Sequence, residues 1–167
     1  MTGYDRSEVI RDWWAHHIGN RDAPASRALA ARLGRADRIG ALAEPAVQAL
    51  GRQLSLCDPV QLAALAQVLA WVRTSANRHL PQLLGSGETP PMSTLRFQHL
   101  IRVTGDELPQ ALRRALPMVD RTCNVGALGR DLLLWSHPDH GEAVRARWCF
   151  HYFGASAPAS LQSEAET

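Results

Sequence analysis

The residues in this chain best equipped for chemistry are its cations, and all of them are of one kind. The 18 residues counted as Lys plus Arg are all arginine, with no lysine. Each guanidinium is a planar fork that binds a phosphate through two donors and lies flat on a ring or base. The formal net charge is only +2, so what matters is where the arginines lie. Between Arg21 and Arg52 six arginines, among them Arg27, Arg32, Arg35 and Arg38, stand against three acids, Asp22, Asp37 and Glu44. The same excess recurs between Ser93 and Arg130, where Arg96, Arg102, Arg113, Arg114, Arg121 and Arg130 stand against Asp106, Glu107 and Asp120. From residue 131 onward the sign reverses, with two arginines and five acids. A run of like charge is more often a solvated face than a binding site. A nucleic-acid role requires both patches to share one surface along which a backbone can track.

Other reactive groups support little. Gly85-Ser86-Gly87 is followed by no lysine, so no phosphate-cradling loop of the Walker kind is present, and no G-x-S-x-G elbow presents a nucleophilic serine. His137 and His140 form an HxxH, with Cys149 and His151 downstream. Pro138 and Gly141 place that pair in a loop, and a zinc site takes four well-spaced N or S ligands, so no metal or other cofactor is expected. His99 lies between Arg96 and Arg102 and titrates in the right range for acid–base work, but no partner His or Lys accompanies it; it reads as a surface histidine of a basic helix. No catalytic residue is expected. Cys57, Cys123 and Cys149 are an odd number without framework spacing. Met1 to Trp14 carries five charges instead of the apolar core of a signal peptide, and the longest clean apolar run is Val68-Leu69-Ala70-Trp71-Val72. These features predict a reduced, soluble, cytoplasmic protein.

The elements that must carry these side chains are helical. A chain of 167 residues suggests about one domain, and 46% hydrophobic residues suit an ordinary globular balance. Asp5 and Ser7 precede Val9, Ile10, Trp13, Trp14 and Ile18, spaced near 3.6 residues and stopped at Gly19-Asn20. Trp13 and Trp14 point to different sides, so one of them is expected to be partly exposed. Pro24 and Pro45 occupy first-turn positions. If 24–38 is one helix, Arg27, Arg35 and Arg38 share a side with Arg32 at its border. Asp58-Pro59 opens the longest helix, about 60 to 80, buried through Leu62, Leu65, Leu69 and Val72. A Gly/Pro-rich break follows. Helices are then expected over 94–104, 106–118, 124–135 and 141–153, the last with Asp139 and Glu142 in capping-box spacing. Trp71, Trp135 and Trp148 read as core, and Arg145 and Arg147 as internal ion-pair partners. The expected class is all-α, a compact bundle of about seven to eight helices without strands. Residues 1–153 form a single domain (N-terminal half 5–80, linker loop 81–92, C-terminal half 93–153), with a disordered tail over 154–167.

The C-terminal half also carries an ordered series of motifs: Leu95-Arg96-Phe97-Gln98-His99-Leu100-Ile101-Arg102, Asp106-Glu107-Leu108-Pro109, Leu112-Arg113-Arg114-Ala115, Asp131-Leu132-Leu133 with Trp135, and Arg145-Ala146-Arg147-Trp148. With Trp13-Trp14 and the Ala28–Ala36 segment ahead of it, the series resembles the CasB family, small subunits of the type I-E CRISPR surveillance complex Cascade. The resemblance spans about residues 9 to 153. It departs at Leu95-Arg96 and Gly34-Arg35, where family members often carry two basic residues. It implies a non-catalytic helical subunit of antiviral defence. Such a subunit pairs with a second copy of itself and packs on the backbone and large subunits around the guide RNA. It would bind nucleic acid, both the guide RNA–DNA assembly and the displaced non-target single-stranded DNA, with no membrane partner. Arg27, Arg32, Arg35 and Arg38 would form one half of the strand path and Arg96, His99, Arg102, Arg113 and Arg114 the other, with Arg121 and Arg130 secondary. The rival reading is a helical scaffold that contacts protein alone; a nuclease or a helix-turn-helix regulator has weaker support.

Overall fold

The computed structural model describes residues 5–154. Asp5 sets the first element: its carboxylate accepts from the Ser7 amide at 2.9 Å, satisfying a donor that a helix start leaves open. Helix α1 (Arg6–Trp14) follows and continues as a π-helical turn over Ala15–Gly19. Pro24 opens α2 (Pro24–Arg35), where a missing N–H is no loss. The expected 24–38 helix stops there. Ala36 and Asp37 are extended, and the Asp37 carboxylate accepts from the Gly40 amide at 2.7 Å to start α3 (Arg38–Leu42) on a new axis. Pro45 opens α4 (Pro45–Leu54), and Asp58 caps α5 (Pro59–Trp71) through the Val60 and Gln61 amides.

Helix α5 ends at Trp71, well short of 80. Val72 turns extended, and Thr74–Ser75 (β1) pairs in parallel with Thr122–Cys123 (β2), Thr74 opposite Thr122. The cause is long-range: the Arg73 and Thr74 amides both donate to the Arg121 carbonyl, at 2.8 and 3.3 Å. This two-residue bridge is the one departure from all-helical structure among the described residues. Helix α6 (Leu80–Leu84) starts at His79, which forms a reciprocal cap with Gln82, so Pro81 belongs to a helix and the linker shrinks to 85–92. Ser93 caps α7 (Thr94–Leu100), which stops four residues early as the chain turns through Gly105 at φ +60°. Helix α8 (Glu107–Ala115) tightens into a 3-10 turn over Leu116–Val119, where Pro117 has no amide to continue the α ladder. Asn124 caps α9 (Val125–Leu134), and α10 (Gly141–Tyr152) closes the fold. The capping box expected from Asp139 and Glu142 does not form, because His140 takes the cap position without a side-chain bond. The short helices α3 and α6 raise the count to ten α-helices among the described residues.

Helix α5 is the hub. It packs against α2, α3, α4, α8 and α9, and is apolar all round because every side meets a neighbour. Helix α1 lies directly on α9. There a Cβ on Gly129 would sit 2.7 Å from Ile10, so only glycine admits that approach. The expectation of a partly exposed tryptophan is overturned: Trp13 and Trp14 are 3% and 6% exposed. α4 also packs on α1. The indole N–H groups find partners on two different helices, Trp13 donating to the Ala46 carbonyl of α4 at 2.8 Å and Trp14 to the Leu69 carbonyl of α5 at 3.0 Å. Trp135 and Trp148 meet edge to face with centroids 4.9 Å apart, in the core as expected.

Asp131 ties α9 to α10. One carboxylate oxygen accepts from the Arg147 guanidinium and the other from the Trp148 indole at 2.8 Å, all three side chains buried. The internal ion pair expected for Arg147 is thus present, whereas Arg145 reaches only the Gly141 carbonyl, at 3.2 Å. The expected tail, apart from Gly154, lies outside the described residues.

Candidate nucleic-acid interface

The β1–β2 bridge decides the geometry of the cations. Arg73 precedes β1 and Arg121 precedes β2, so the register that pairs Thr74 with Thr122 sets two arginines from distant segments side by side. The turn that delivers Arg121 is strained. Asp120 and Arg121 both adopt left-handed backbone, φ +55° and +54°, a conformation L side chains other than Asn and Asp resist.

Around this bridge opens a groove of about 440 Å³, walled by α2, the end of α5 and α8. Six arginines line it (Arg21, Arg27, Arg35, Arg73, Arg113 and Arg121) and no carboxylate does. Arg21 is half-buried at its base and donates to the Ala70 and Val72 carbonyls at 3.1 and 3.0 Å. Burial, with Arg73 and Arg121 close by, pulls its pKa below the ordinary arginine value. Arg27 donates to the Arg21 and Asp22 carbonyls. Arg113 lies over the Trp71 ring, 5.2 Å from its centroid, a cation–π contact that fixes the guanidinium without neutralising it. Arg35, Arg73, Arg113 and Arg121 are exposed and form no ion pair among the described residues. Six positive forks with no counter-charge make a preformed site for a polyanion.

The two arginine clusters read from sequence therefore meet, but through a subset. Arg27 and Arg35 come from the first and Arg113 and Arg121 from the second. Arg32 is engaged by Glu44 through two bonds, 2.7 and 3.1 Å, which hold that carboxyl below the usual carboxylate range. Arg38, carried off α2 by the break at Asp37, pairs with Asp106 at 3.3 Å. Arg130 is half-buried beside Asp131 at 3.5 Å. Arg102 is exposed in the turn after α7 and does not line this groove. Arg96, His99 and Arg114 line a second, mostly apolar groove on the other flank of α8; Arg113 and Arg114 part company because neighbouring helical residues diverge by about 100°. Sequence reasoning missed Arg73 and Trp71 as groove residues and left Arg21 unassigned within its cluster. The signal for Arg73 is the switch from an uncharged, mostly apolar helix to Arg73-Thr74-Ser75, a helix that stops.

The other candidates assemble nothing. His137 and His140 stack at 4.5 Å, but no three potential metal ligands gather anywhere among the described residues. No single helix among them is long and apolar enough to cross a membrane.

Comparison with known proteins agrees with the architecture. The chain matches two solved structures from Thermus thermophilus. One is a CRISPR-associated protein of the Cse2 family (24% identity, TM-score 0.65, covering 90% of this chain and 99% of that one). The other is CasB (24% identity, TM-score 0.64, covering 89% and 98%). No curated protein sequence matches. The model of the CRISPR-associated protein Cse2 family matches residues 10–153, nearly the whole described chain, and the protein therefore belongs to the Cse2/CasB family.

Proposed function

We propose that this chain is the non-catalytic small subunit of a type I-E Cascade complex and that its six-arginine groove holds a single nucleic-acid strand by its phosphates. The observation that carries this reading is the groove itself: cations from both halves of the chain converge with no carboxylate among them. Guanidinium groups that meet only phosphate read no sequence, which suits RNA-guided recognition, where base pairing supplies sequence and protein supplies charge and shape. The strand path runs over Arg27, Arg35, Arg73, Arg113 and Arg121, with Arg21 as its base. Arg32 and Arg38 join it only by leaving Glu44 and Asp106. The displaced non-target DNA strand is the ligand this arrangement fits best, with other Cascade subunits and a second copy of the chain as protein partners.

Arg113→Glu and Arg114→Glu provide the test. The two substitutions change net charge equally on adjacent exposed residues of one helix, but only Arg113 lines the groove. In fluorescence anisotropy with a labelled 20-nucleotide single strand, Arg113→Glu should weaken binding about tenfold or more and Arg114→Glu by roughly threefold at most. Equal losses, or none, refute the groove as the strand path.

A further inference from the structure

The flank of α8 facing away from the arginine groove carries a different surface. Between α7, α8 and the 3-10 turn lies a groove of about 510 Å³ whose floor is aliphatic and thioether. At its edge Leu95 is 77% exposed, out of line with every other leucine of α7 and α8, all buried. Met92 and Met118 contribute flexible, polarizable surface that adapts to an incoming side chain. Around this floor stand Arg96, His99 and Arg114, all exposed and none paired with a carboxylate among the described residues. The aromatic lining is limited to the His99 imidazole at the rim, and no Phe, Tyr or Trp offers a stacking platform for successive bases. The surface is thus apolar at the centre and cationic at the rim, unlike the arginine groove.

We infer that this groove docks an amphipathic helix of a partner protein, seating apolar residues at i, i+3 and i+4 on Leu95, Met92 and Met118. Its flanking Asp or Glu side chains meet Arg96, His99 and Arg114. A channel between two helices accepts a third helix laid along it, with apolar anchors supplying affinity and rim charges supplying register. The rim carries one sign only, so the occupant is acidic. This surface is separate from the proposed strand path, and α8 divides the two because Arg113 and Arg114 diverge by about 100° around its axis.

The test uses two labelled 16-residue helical peptides with the same leucine stripe, one flanked by glutamates and one by lysines, titrated against the full chain. The glutamate peptide should bind saturably in the micromolar range, and the lysine peptide at least tenfold more weakly. Leu95→Asp should abolish glutamate-peptide binding, Leu95→Met should retain it, and Arg96→Glu with Arg114→Glu should remove the preference for the acidic peptide. Single-strand affinity of Leu95→Asp should equal that of the parent, and its urea midpoint should be unchanged, because Leu95 is solvent-exposed already. Absence of binding, or equal binding of both peptides, overturns the inference. A tenfold loss of single-strand affinity in Leu95→Asp assigns the groove to nucleic acid instead. A concentration-dependent dimer that Leu95→Asp converts to monomer in sedimentation velocity makes the occupant a second copy.

Discussion

Replacing Asp131 by alanine removes the acceptor for two buried donors at once. Asp131 and Arg147 are 2% and 4% exposed, and Trp148 1%. The substitution leaves the Arg147 guanidinium buried without its counter-ion and the Trp148 indole N–H without a partner. Breaking one side of a buried ion pair costs about 3–5 kcal/mol, and an orphaned neutral donor roughly 1–3 kcal/mol more in isolation. The two overlap in one relaxing site, so the expected loss is about 4 kcal/mol. At roughly 2–4 °C per kcal/mol for a chain of this size, the midpoint should fall by about 8–16 °C. Asp131→Leu combined with Arg147→Leu removes charge and counter-charge together and should recover most of that loss, the remaining deficit of roughly 1–3 kcal/mol coming from the Trp148 indole N–H, which still lacks its acceptor. Equilibrium urea unfolding followed by far-ultraviolet circular dichroism reads both, with an unchanged m-value as the control for two-state behaviour. If Asp131→Ala unfolds within about 1 kcal/mol of the parent, the buried node does not hold α9 to α10 and the reasoning fails. Below the transition, single-strand binding should be intact, because Asp131 does not line the arginine groove.

Two further outcomes follow from particular residues. Arg121→Gly relieves a left-handed arginine at φ +54° and should stabilise the fold by about 1 kcal/mol in urea, while weakening single-strand affinity; a variant that loses both stability and affinity contradicts the strain argument. His79 and His151 meet as tilted rings with centroids 4.8 Å apart, and burial first, then the charge of His151 on His79 and of Arg147 on His151, lowers both pKa values. Folded histidines therefore stay neutral where unfolded ones, near 6.5, take up protons, so stability is full above about pH 6.5 and declines as pH falls below it. Thermal melts at pH 7.5 and 5.5 should show that decline, and His79→Asn with His151→Phe should make it shallower, the remainder coming from His17, whose pKa burial also lowers; an unchanged profile places the titration elsewhere.

The helices that sequence made legible are those closed by local chemistry. Asp5, Pro24, Pro45, Asp58, Ser93 and Asn124 each start a helix with a group or geometry contained within a few residues. The misread boundaries have other causes. Helix α5 runs out at Trp71 because the Arg121 carbonyl captures the Arg73 and Thr74 amides, an event that no window around residue 72 contains. The break at Ala36-Asp37 is local, but the Arg spacing of 24–38 fits a continuous helix so well that it masks Asp37 as a cap. The arginine groove was legible as two clusters and not as a set. Charge excess identifies which segments are cationic, whereas ion pairing with Glu44 and Asp106 and the two-residue bridge decide which guanidinium groups remain available. Trp13 and Trp14 fail the single-face rule because α1 packs on both α4 and α9.

The salt dependence of single-strand affinity tests the central claim most directly. Each phosphate neutralised on a single strand contributes about −0.7 to the slope of log K against log salt. The four groove arginines whose guanidinium groups bond neither a carboxylate nor a backbone carbonyl among the described residues, Arg35, Arg73, Arg113 and Arg121, therefore predict a slope of about −3 and a roughly fifty-fold loss of affinity between 50 and 200 mM salt. Arg73→Ala with Arg113→Ala should halve that slope to about −1.4 without changing the unfolding free energy in urea by more than about 1 kcal/mol. A variant slope equal to that of the parent contradicts the account, because phosphates would then be held by cations outside the groove.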